Sequence, residues 1–167
     1  MIYESSDDSF LLLRYIKNYA KGKVLDLGTG SGILAREALK YTKDVIASDI
    51  QDLNFKDIKF IKSDLFENIK GKFNLIIFNP PYLPKDKRED LESALSTTGG
   101  KHGYEIIEKV LNDLKNYLKK NGKCLIVFSS LTNKEKIDKL IKKNKLKFKC
   151  LETKKLFFEE LYVYLIY

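Results

Sequence analysis

Residues 79–82 (Asn-Pro-Pro-Tyr) carry the side chains best suited to chemistry in this sequence. They follow residues 73–78, a short apolar run that predicts a buried strand. The side-chain oxygen of Asn79 and the carbonyl of Pro80 could accept both hydrogens of one planar NH2 group, and Tyr82 could stack on it. The pattern therefore favours a substrate with an amide or an exocyclic amine. A strand that ends in a proline-rich turn would have the same four residues.

A glycine-rich turn earlier in the chain is suited to holding a ligand. Gly28, Gly30 and Gly32, with Thr29 between the first two, lie between a predicted strand and a predicted helix. Glycines at these positions let the backbone approach a ligand and present N–H groups at the helix start. A dinucleotide fingerprint would need its third glycine at position 33, which is Ile33. This argues against NAD or FAD.

Acidic and amide side chains follow the predicted strands at the ends where α/β sheets bind ligands. We expect Asp49 to accept hydrogen bonds from two ribose hydroxyls and Asp64, followed by Leu65, to face an adenine amino group. Asp26 could hold a cationic amino-acid end directly or through water. Each aspartate alone could be a helix cap or a turn residue. Their shared position with Asn79 predicts one site.

The elements that would position these residues alternate between strands and helices. Apolar runs predict strands at 23–27, 45–48, 58–62, 73–78, 123–128, 145–151 and 161–166. Helical spacing predicts helices from 10 to before 22, and over 33–41, 104–120 and 133–143. Residues 85–103 are polar and predict a loop with at most a short helix. The alternation predicts an α/β fold with a mostly parallel sheet, in a single domain over residues 1–167.

The composition is that of a globular protein, with 44% hydrophobic residues among 167. No apolar run reaches the roughly 18 residues that a membrane span needs, and the first residues lack the pattern of a signal peptide. We therefore expect a cytoplasmic protein. Cys124 and Cys150 lie in apolar surroundings without metal-ligand spacing, so we predict reduced core residues and no metal site.

The net charge of +8 suggests anionic partners such as RNA, DNA or a ribosomal complex. Almost all of it comes from lysine, since only Arg14, Arg36 and Arg88 are arginines. The lysines are scattered, and arginine is the better bidentate reader of phosphates and bases. A thermophilic host or nucleotide bias would enrich lysine equally. A nucleic-acid partner stays possible.

Together these segments resemble the class I S-adenosylmethionine-dependent methyltransferases over essentially the whole chain. The resemblance rests on residues 26–32 (Asp-Leu-Gly-Thr-Gly-Ser-Gly), Asp49, Asp64 and residues 79–82. It implies a three-layer α/β/α Rossmann-like fold whose seven-stranded, mostly parallel sheet has an antiparallel last strand. It also implies S-adenosylmethionine as cofactor. The implied catalytic residues are Asn79, Pro80 and Tyr82, and the implied cofactor-binding residues are Asp26, Gly28, Thr29, Gly30, Gly32, Asp49, Asp64, Leu65 and Asn79.

Further segments are similar to one branch of that class, the HemK-like glutamine N5-methyltransferases of peptide release factors. Residues 3–12 and the loop 99–103 (Gly-Gly-Lys-His-Gly) are similar to the eukaryotic and archaeal members. The implied substrate is the glutamine amide of the release-factor Gly-Gly-Gln motif. The implied partner is a small zinc-binding activator subunit, which forms a heterodimer by adding strands beside an edge strand. The alternating residues 58–62 would suit that edge.

The same residues leave other readings open. Adenine N6 and guanine N2 in RNA or DNA are also planar NH2 donors, and the charge favours them. A protein lysine is a further acceptor, although its tetrahedral ammonium fits two fixed acceptors less well. A cofactor-binding scaffold without turnover is the non-enzymatic alternative. The single histidine, His102, lies in the 99–103 loop, where we expect a solvated residue and not a catalytic base.

Overall fold

The computed structural model describes residues 7–85 and 97–167, so most of the predicted polar loop lies outside the described residues. The strands are β1 (Val24–Leu27), β2 (Val45–Asp49), β3 (Lys59–Lys62), β4 (Phe73–Phe78), β5 (Leu118–Ser129), β6 (Phe148–Lys155) and β7 (Glu160–Ile166). The helices are α1 (Asp7–Tyr19), α2 (Ile33–Leu39), α3 (Glu105–Tyr117) and α4 (Lys134–Lys143), and a 3-10 turn covers Ser130–Thr132.

The seven strands form one sheet in the order β3-β2-β1-β4-β5-β7-β6. The pairs from β3 to β5 are parallel, while β7 is antiparallel to both β5 and β6. β1 and β4 lie in the middle of the sheet, and their apolar residues are buried on both faces. The mostly parallel sheet with an antiparallel last strand is therefore confirmed.

Helices pack on both faces of the sheet and complete the three layers. On one face, α1 and α2 bury apolar side chains that include Leu12, Ile16 and Ala35. On the other face, α3 and α4 contribute Val110 and Ile137 to a second core cluster. The apolar residues recur at helical spacing because one stripe of each helix must face the sheet. With this packing, the carboxyl ends of β1 to β5 share one edge, where the predicted site lies.

The boundary between α3 and β5 differs from the prediction because sheet pairing begins early. We expected helix to continue to residue 120, but α3 ends at Tyr117. Leu118 has an extended backbone, with φ −89° and ψ 135°, and pairs with Phe73 of β4. The register shifts before β5 pairs regularly from Lys123. The helical spacing of Leu118 with the preceding turn could not reveal this pairing.

The predictions for β6 and for one cysteine need correction. Lys145 has a left-handed backbone with φ 55°, and Leu146 turns into the core, so the strand does not begin until Phe148. Both cysteines are free, and Cys124 is buried as expected. Cys150 is exposed, so its assignment to the core is wrong. It lies on β6, an outermost strand, where an apolar neighbourhood in sequence does not imply burial.

β3 forms the other outer edge of the sheet, as the alternating sequence predicts. Lys59 and Lys62 are exposed, whereas Phe60 and Ile61 are partly buried. One long side of β3 therefore has backbone groups without a neighbouring strand in the described sheet. In residues 7–85 and 97–167, no helix combines the length and apolar character that a membrane crossing requires.

Candidate active site

A cavity of about 240 Å³ opens at the carboxyl edge of the sheet, and most of the predicted site residues line it. Those that do are Gly28, Thr29, Gly30, Asp49, Asp64, Leu65, Asn79, Pro80 and Tyr82. Asp8 is the other acidic residue of the wall, and no lysine or arginine of the described residues lines it. Because its charges are negative, the cavity favours a cationic or neutral ligand over an anionic one.

Asn79 has one free acceptor in this cavity. Its Nδ2 donates a hydrogen bond to Ser9 Oγ over 3.0 Å. Its Oδ1 is buried and accepts no hydrogen bond from any described residue. A buried amide oxygen without a donor is costly by about 1–3 kcal/mol. The side chain is therefore oriented by α1 so that its oxygen can receive an N–H from a ligand.

The first turn of α1 also positions Tyr82. The Tyr82 hydroxyl donates to Asp8 Oδ2 at 3.0 Å, and Asp8 Oδ1 accepts from the backbone N–H of Ser9 at 2.6 Å. Asp8 and Ser9 are buried, with 2% and 4% of their surfaces exposed. The Tyr82 carbonyl accepts from Thr132 Oγ1 at 2.9 Å. Asp8 and Ser9 were expected only as part of the family-like opening, residues 3–12, and their contacts with Tyr82 and Asn79 were not predicted.

The glycine loop packs directly on the backbone that follows Asn79. A Cβ on Gly103 would lie 2.5 Å from the Tyr82 carbonyl oxygen, and one on Gly99 would lie 2.6 Å from that of Pro81. Thr97 and Gly99 exchange backbone hydrogen bonds of 2.8 and 2.9 Å with Leu83. Only glycine permits this close approach, so residues 99–103 pack against the backbone of residues 81–83 and support it.

His102 lies away from the cavity. It does not line the walls, and its Nδ1 pairs with the Glu105 carboxylate at 2.8 Å. More than half of its side chain is exposed, at 55%. This location agrees with a solvated loop residue.

Asp49 joins the glycine turn to the cavity. Its Oδ2 accepts from the backbone N–H of Gly30 and its Oδ1 from that of Gln51, each at 3.0 Å. Its side chain is only partly buried and lines the cavity. Each oxygen retains a lone pair for a further donor. The arrangement is compatible with the predicted ribose contact.

Asp26 lies behind the glycine turn and does not line the cavity. It is fully buried, and its Oδ2 accepts from Thr29 Oγ1 at 2.6 Å and from the Ala35 N–H at 2.9 Å. Burial raises the pKa of Asp26 from 3.8 to about 6, with a smaller contribution from the negative charge of Asp49. Its Oδ1 has no partner in the part of the chain that the structure describes. Through these two hydrogen bonds the Asp26 carboxylate joins Thr29 of the glycine turn to the start of α2 and so fixes the turn.

Gly32 is likewise a packing position and not part of the cavity wall. Its backbone is left-handed, with φ +78°, and a Cβ would lie 2.8 Å from the ring of Phe55. Asp64 and Leu65, by contrast, do line the wall. Leu65 has an unusual positive φ of 48°, and its carbonyl accepts from Ser63 Oγ at 2.8 Å. Strained backbone of this kind often occurs where a ligand binds.

Residues outside the predicted set complete the cavity. The apolar side chains Ile33, Ile50, Leu53 and Ile106 line it together with Thr97. Ile50 stands out because half of its surface is exposed, at 51%. Its position directly after Asp49, the last residue of β2, was the signal that the sequence offered for a place in the cavity wall.

Comparison with known proteins identifies the family. Residues 5–157 match the family described as methyltransferase small domain. The chain belongs to this methyltransferase family. A Methanocaldococcus jannaschii protein, provisionally named a protein N5-glutamine methyltransferase, is 42% identical over 154 residues, covering 83% of this chain and 78% of that relative. A release factor glutamine methyltransferase of Buchnera aphidicola is 33% identical over 140 residues, covering 72% of this chain and 50% of that protein.

A solved structure agrees with the fold. The chain from the Encephalitozoon cuniculi (E. cuniculi) Mtq2-Trm112 complex, which methylates the eRF1 termination factor, superposes with a TM-score of 0.79. It covers 98% of this chain and 96% of its own, at 20% identity. At that identity the likeness concerns the fold. The predicted methyltransferase membership and the Rossmann-like fold are confirmed, and this chain spans about half the length of the bacterial relative. The roles of individual residues stay predictions.

Proposed function

We propose that this protein is an S-adenosylmethionine-dependent methyltransferase that modifies the glutamine side-chain amide in the Gly-Gly-Gln motif of a peptide release factor. The observation that carries the proposal is the free Oδ1 of Asn79, held by Ser9 in the same cavity as the glycine turn and Asp49. The names of the two similar proteins support this choice of acceptor.

The acidic cavity supports the choice of cofactor. S-adenosylmethionine supplies, when bound, an electrophilic methyl group on a positively charged sulfur. Asp49 would accept from the ribose hydroxyls, and Asp64 with the backbone of Leu65 would contact the adenine. Gly28 and Gly30 leave room for the ligand beside the backbone. Asp26 would act by fixing this turn, since it lies behind it.

The acceptor nitrogen would be positioned by hydrogen bonds. An amide nitrogen is a weak nucleophile because its lone pair is delocalised into the carbonyl. The two N–H groups of the substrate amide would donate hydrogen bonds, one to Asn79 Oδ1 and one to the Pro80 carbonyl. These hydrogen bonds would fix the amide plane and turn the nitrogen lone pair toward the methyl group. Tyr82, anchored through Asp8, would form the wall beside it. The nitrogen would take the methyl group as the sulfur–methyl bond breaks, leaving S-adenosylhomocysteine, and would release one proton to solvent, so that the product is a neutral amide.

Two features favour a protein amide over a nucleic-acid base. No lysine or arginine of the described residues lines the cavity, so a phosphate backbone would meet only acidic side chains there. Many of the lysines precede strands or lie in the first half of β5, toward the opposite edge of the sheet. These are Lys21, Lys23, Lys43, Lys70, Lys72, Lys119, Lys120, Lys123, Lys145 and Lys147. A lysine acceptor would also fit two coplanar acceptors poorly.

A partner subunit would bind at the β3 edge. β3 is short, outermost and partly apolar, with its outer backbone groups available for strand addition. The E. cuniculi chain with the same fold occurs in a complex with Trm112. We therefore propose a small activator subunit, zinc-binding as the family resemblance implies, that forms a heterodimer here. The pair would act in the cytoplasm, where translation takes place.

Co-expression with a candidate activator tests the proposal. The purified complex is incubated with S-adenosylmethionine and a release factor, and the Gly-Gly-Gln peptide is examined by mass spectrometry. We expect a gain of about 14 Da, one methyl group for one hydrogen, on the glutamine. Parallel reactions contain tRNA, rRNA or DNA. Methyl transfer to nucleic acid instead would support the alternative acceptor, and cofactor binding without any transfer would support a scaffold.

A further inference from the structure

The turn between β6 and β7 exposes two large aromatic side chains. Phe157 is 92% exposed and Phe158 is 87% exposed, while the strands on either side pair regularly up to Lys155 and Glu160. Single exposed apolar residues are common, but two adjacent phenylalanines at a strand turn are an apolar patch that water disfavours. Leu131, on the 3-10 turn after β5, is also 48% exposed. We call Phe157, Phe158 and Leu131 together the aromatic tip, after its two phenylalanine rings.

Hydrogen bonds hold the aromatic tip in a defined position. The Leu156 N–H donates to the Glu159 carbonyl at 2.8 Å, which closes a tight turn around the two phenylalanines. The Ser129 hydroxyl donates to the Glu159 carboxylate, and Ser130 Oγ accepts from the Glu160 N–H at 3.0 Å. The two rings meet edge to face at 4.7 Å between centroids. The backbone of the turn is thus tied to the end of β5.

The aromatic tip lies on the same edge as the candidate active site. β7 is antiparallel to β5, and Leu161 pairs with Ser129 at the end of β5. Three residues after Ser129, the 3-10 turn ends at Thr132, whose hydroxyl donates to the Tyr82 carbonyl. β5 and β7 separate the tip from β4 by about 10–14 Å across the sheet, at about 4.8 Å for each strand spacing. Phe78 pairs with Ile126 and Leu161 pairs with Ser129, so the strand ends that carry the tip also extend about 10 Å past the end of β4. About four to five extended residues span the distance from the end of β4 to the base of the tip.

We propose that the aromatic tip binds an apolar surface of the acceptor protein, next to the segment that carries the methylated glutamine. The inference rests on the proposed function and extends it to how the protein substrate is selected. A glutamine that reaches Asn79 brings the residues flanking it over this edge, so the tip is placed to contact the acceptor itself. The β3 edge, where we propose the activator, is at the opposite end of the sheet. The activator and the release factor can therefore bind at two separate surfaces.

The test compares a double variant, Phe157→Ser with Phe158→Ser, against the unsubstituted complex with its activator. Binding of the release factor is measured in the presence of S-adenosylhomocysteine, together with kcat at saturating release factor. We expect the Kd for the release factor to rise at least about tenfold. The Kd for S-adenosylhomocysteine and kcat should change less than about twofold, since neither ring touches the cavity. Tyr41→Ser, which alters an exposed aromatic residue after α2, is the matched control and should leave all three values unchanged.

Three outcomes would overturn the inference. An unchanged Kd for the release factor would show that the rings make no contact with it. An equal loss of S-adenosylhomocysteine binding would show that the substitutions disturb the fold. If the unsubstituted complex forms a pair of complexes in solution and the double variant does not, with the release-factor Kd unchanged, the tip would be assigned to self-association. Failure of the proposed function differs from all of these, because the unsubstituted complex would then transfer no methyl group to the release factor.

Discussion

The buried carboxylate of Asp26 predicts a pH dependence of stability that one substitution should remove. Burial raises the pKa of Asp26 to about 6 in the folded chain, against 3.8 for an unperturbed carboxyl. The folded state therefore binds this proton more tightly than the unfolded state. The resulting stability is fully present below pH 3.8 and is lost as the pH rises through 6. The difference in pKa corresponds to about 3 kcal/mol, at about 1.4 kcal/mol for each tenfold change in proton affinity.

Asp26→Asn keeps the shape and an acceptor for Thr29 and Ala35 but cannot ionise. Urea denaturation of both proteins without ligands, followed by circular dichroism between pH 4 and pH 8, measures the effect. The free energy of unfolding of the Asn variant, minus that of the natural chain, should increase by about 2–3 kcal/mol from pH 4 to well above pH 6, since part of the full change already occurs below pH 4. A difference that stays constant or decreases over this range would refute the assignment of a destabilising buried charge.

Three further predictions concern the supports of the site and the cysteines. Ser9→Ala removes the acceptor for Asn79 Nδ2. It should lower kcat about tenfold and leave the affinity for S-adenosylhomocysteine unchanged. An unchanged kcat would show that Ser9 does not orient Asn79. Gly71→Ala, at φ 88°, should lose about 1–2 kcal/mol of unfolding free energy and leave methyl transfer unchanged. Gly103→Ala, at φ 89°, should lose more, because its Cβ would also lie 2.5 Å from the Tyr82 carbonyl oxygen, and it should lower methyl transfer; equal activities of the two variants would contradict this. In the native protein iodoacetamide should label the exposed Cys150 and spare the buried Cys124, because burial raises the pKa of the Cys124 thiol to about 12. Mass spectrometry of the peptides measures the labelling. Labelling of both cysteines would imply an open core.

The fold could be predicted because its determinants are local. Buried strands such as β1 and β4 have continuous apolar runs, and the stripe of each helix repeats at helical spacing. Prediction failed where pairing between distant segments decides the structure. Leu118 fits the spacing of α3, yet its pairing with Phe73 draws it into β5. Cys150 has apolar neighbours in sequence, but β6 is an outer strand and leaves it exposed.

The site could be predicted in part for the same reason. Parallel strands bring their carboxyl ends to one edge, so Asp49, Asp64 and Asn79 could be placed together from their positions after strands. That Ser9 and Asp8 contact Asn79 and Tyr82 depends on how α1 packs across the sheet, and no periodicity encodes it. Nor could spacing show that Asp26, a buried aspartate within the first strand, faces the turn and not the cavity.

If the Asn79 oxygen accepts a hydrogen bond from the acceptor nitrogen, Asn79→Ala should slow methyl transfer without weakening cofactor binding. Methyl transfer to the release factor and the Kd for S-adenosylmethionine are measured on the same complex, with the natural chain alongside. We expect kcat to fall a hundredfold or more, as for loss of one positioned hydrogen-bonding group, with cofactor affinity nearly unchanged. Equal losses of cofactor binding and transfer, or full activity, would contradict it.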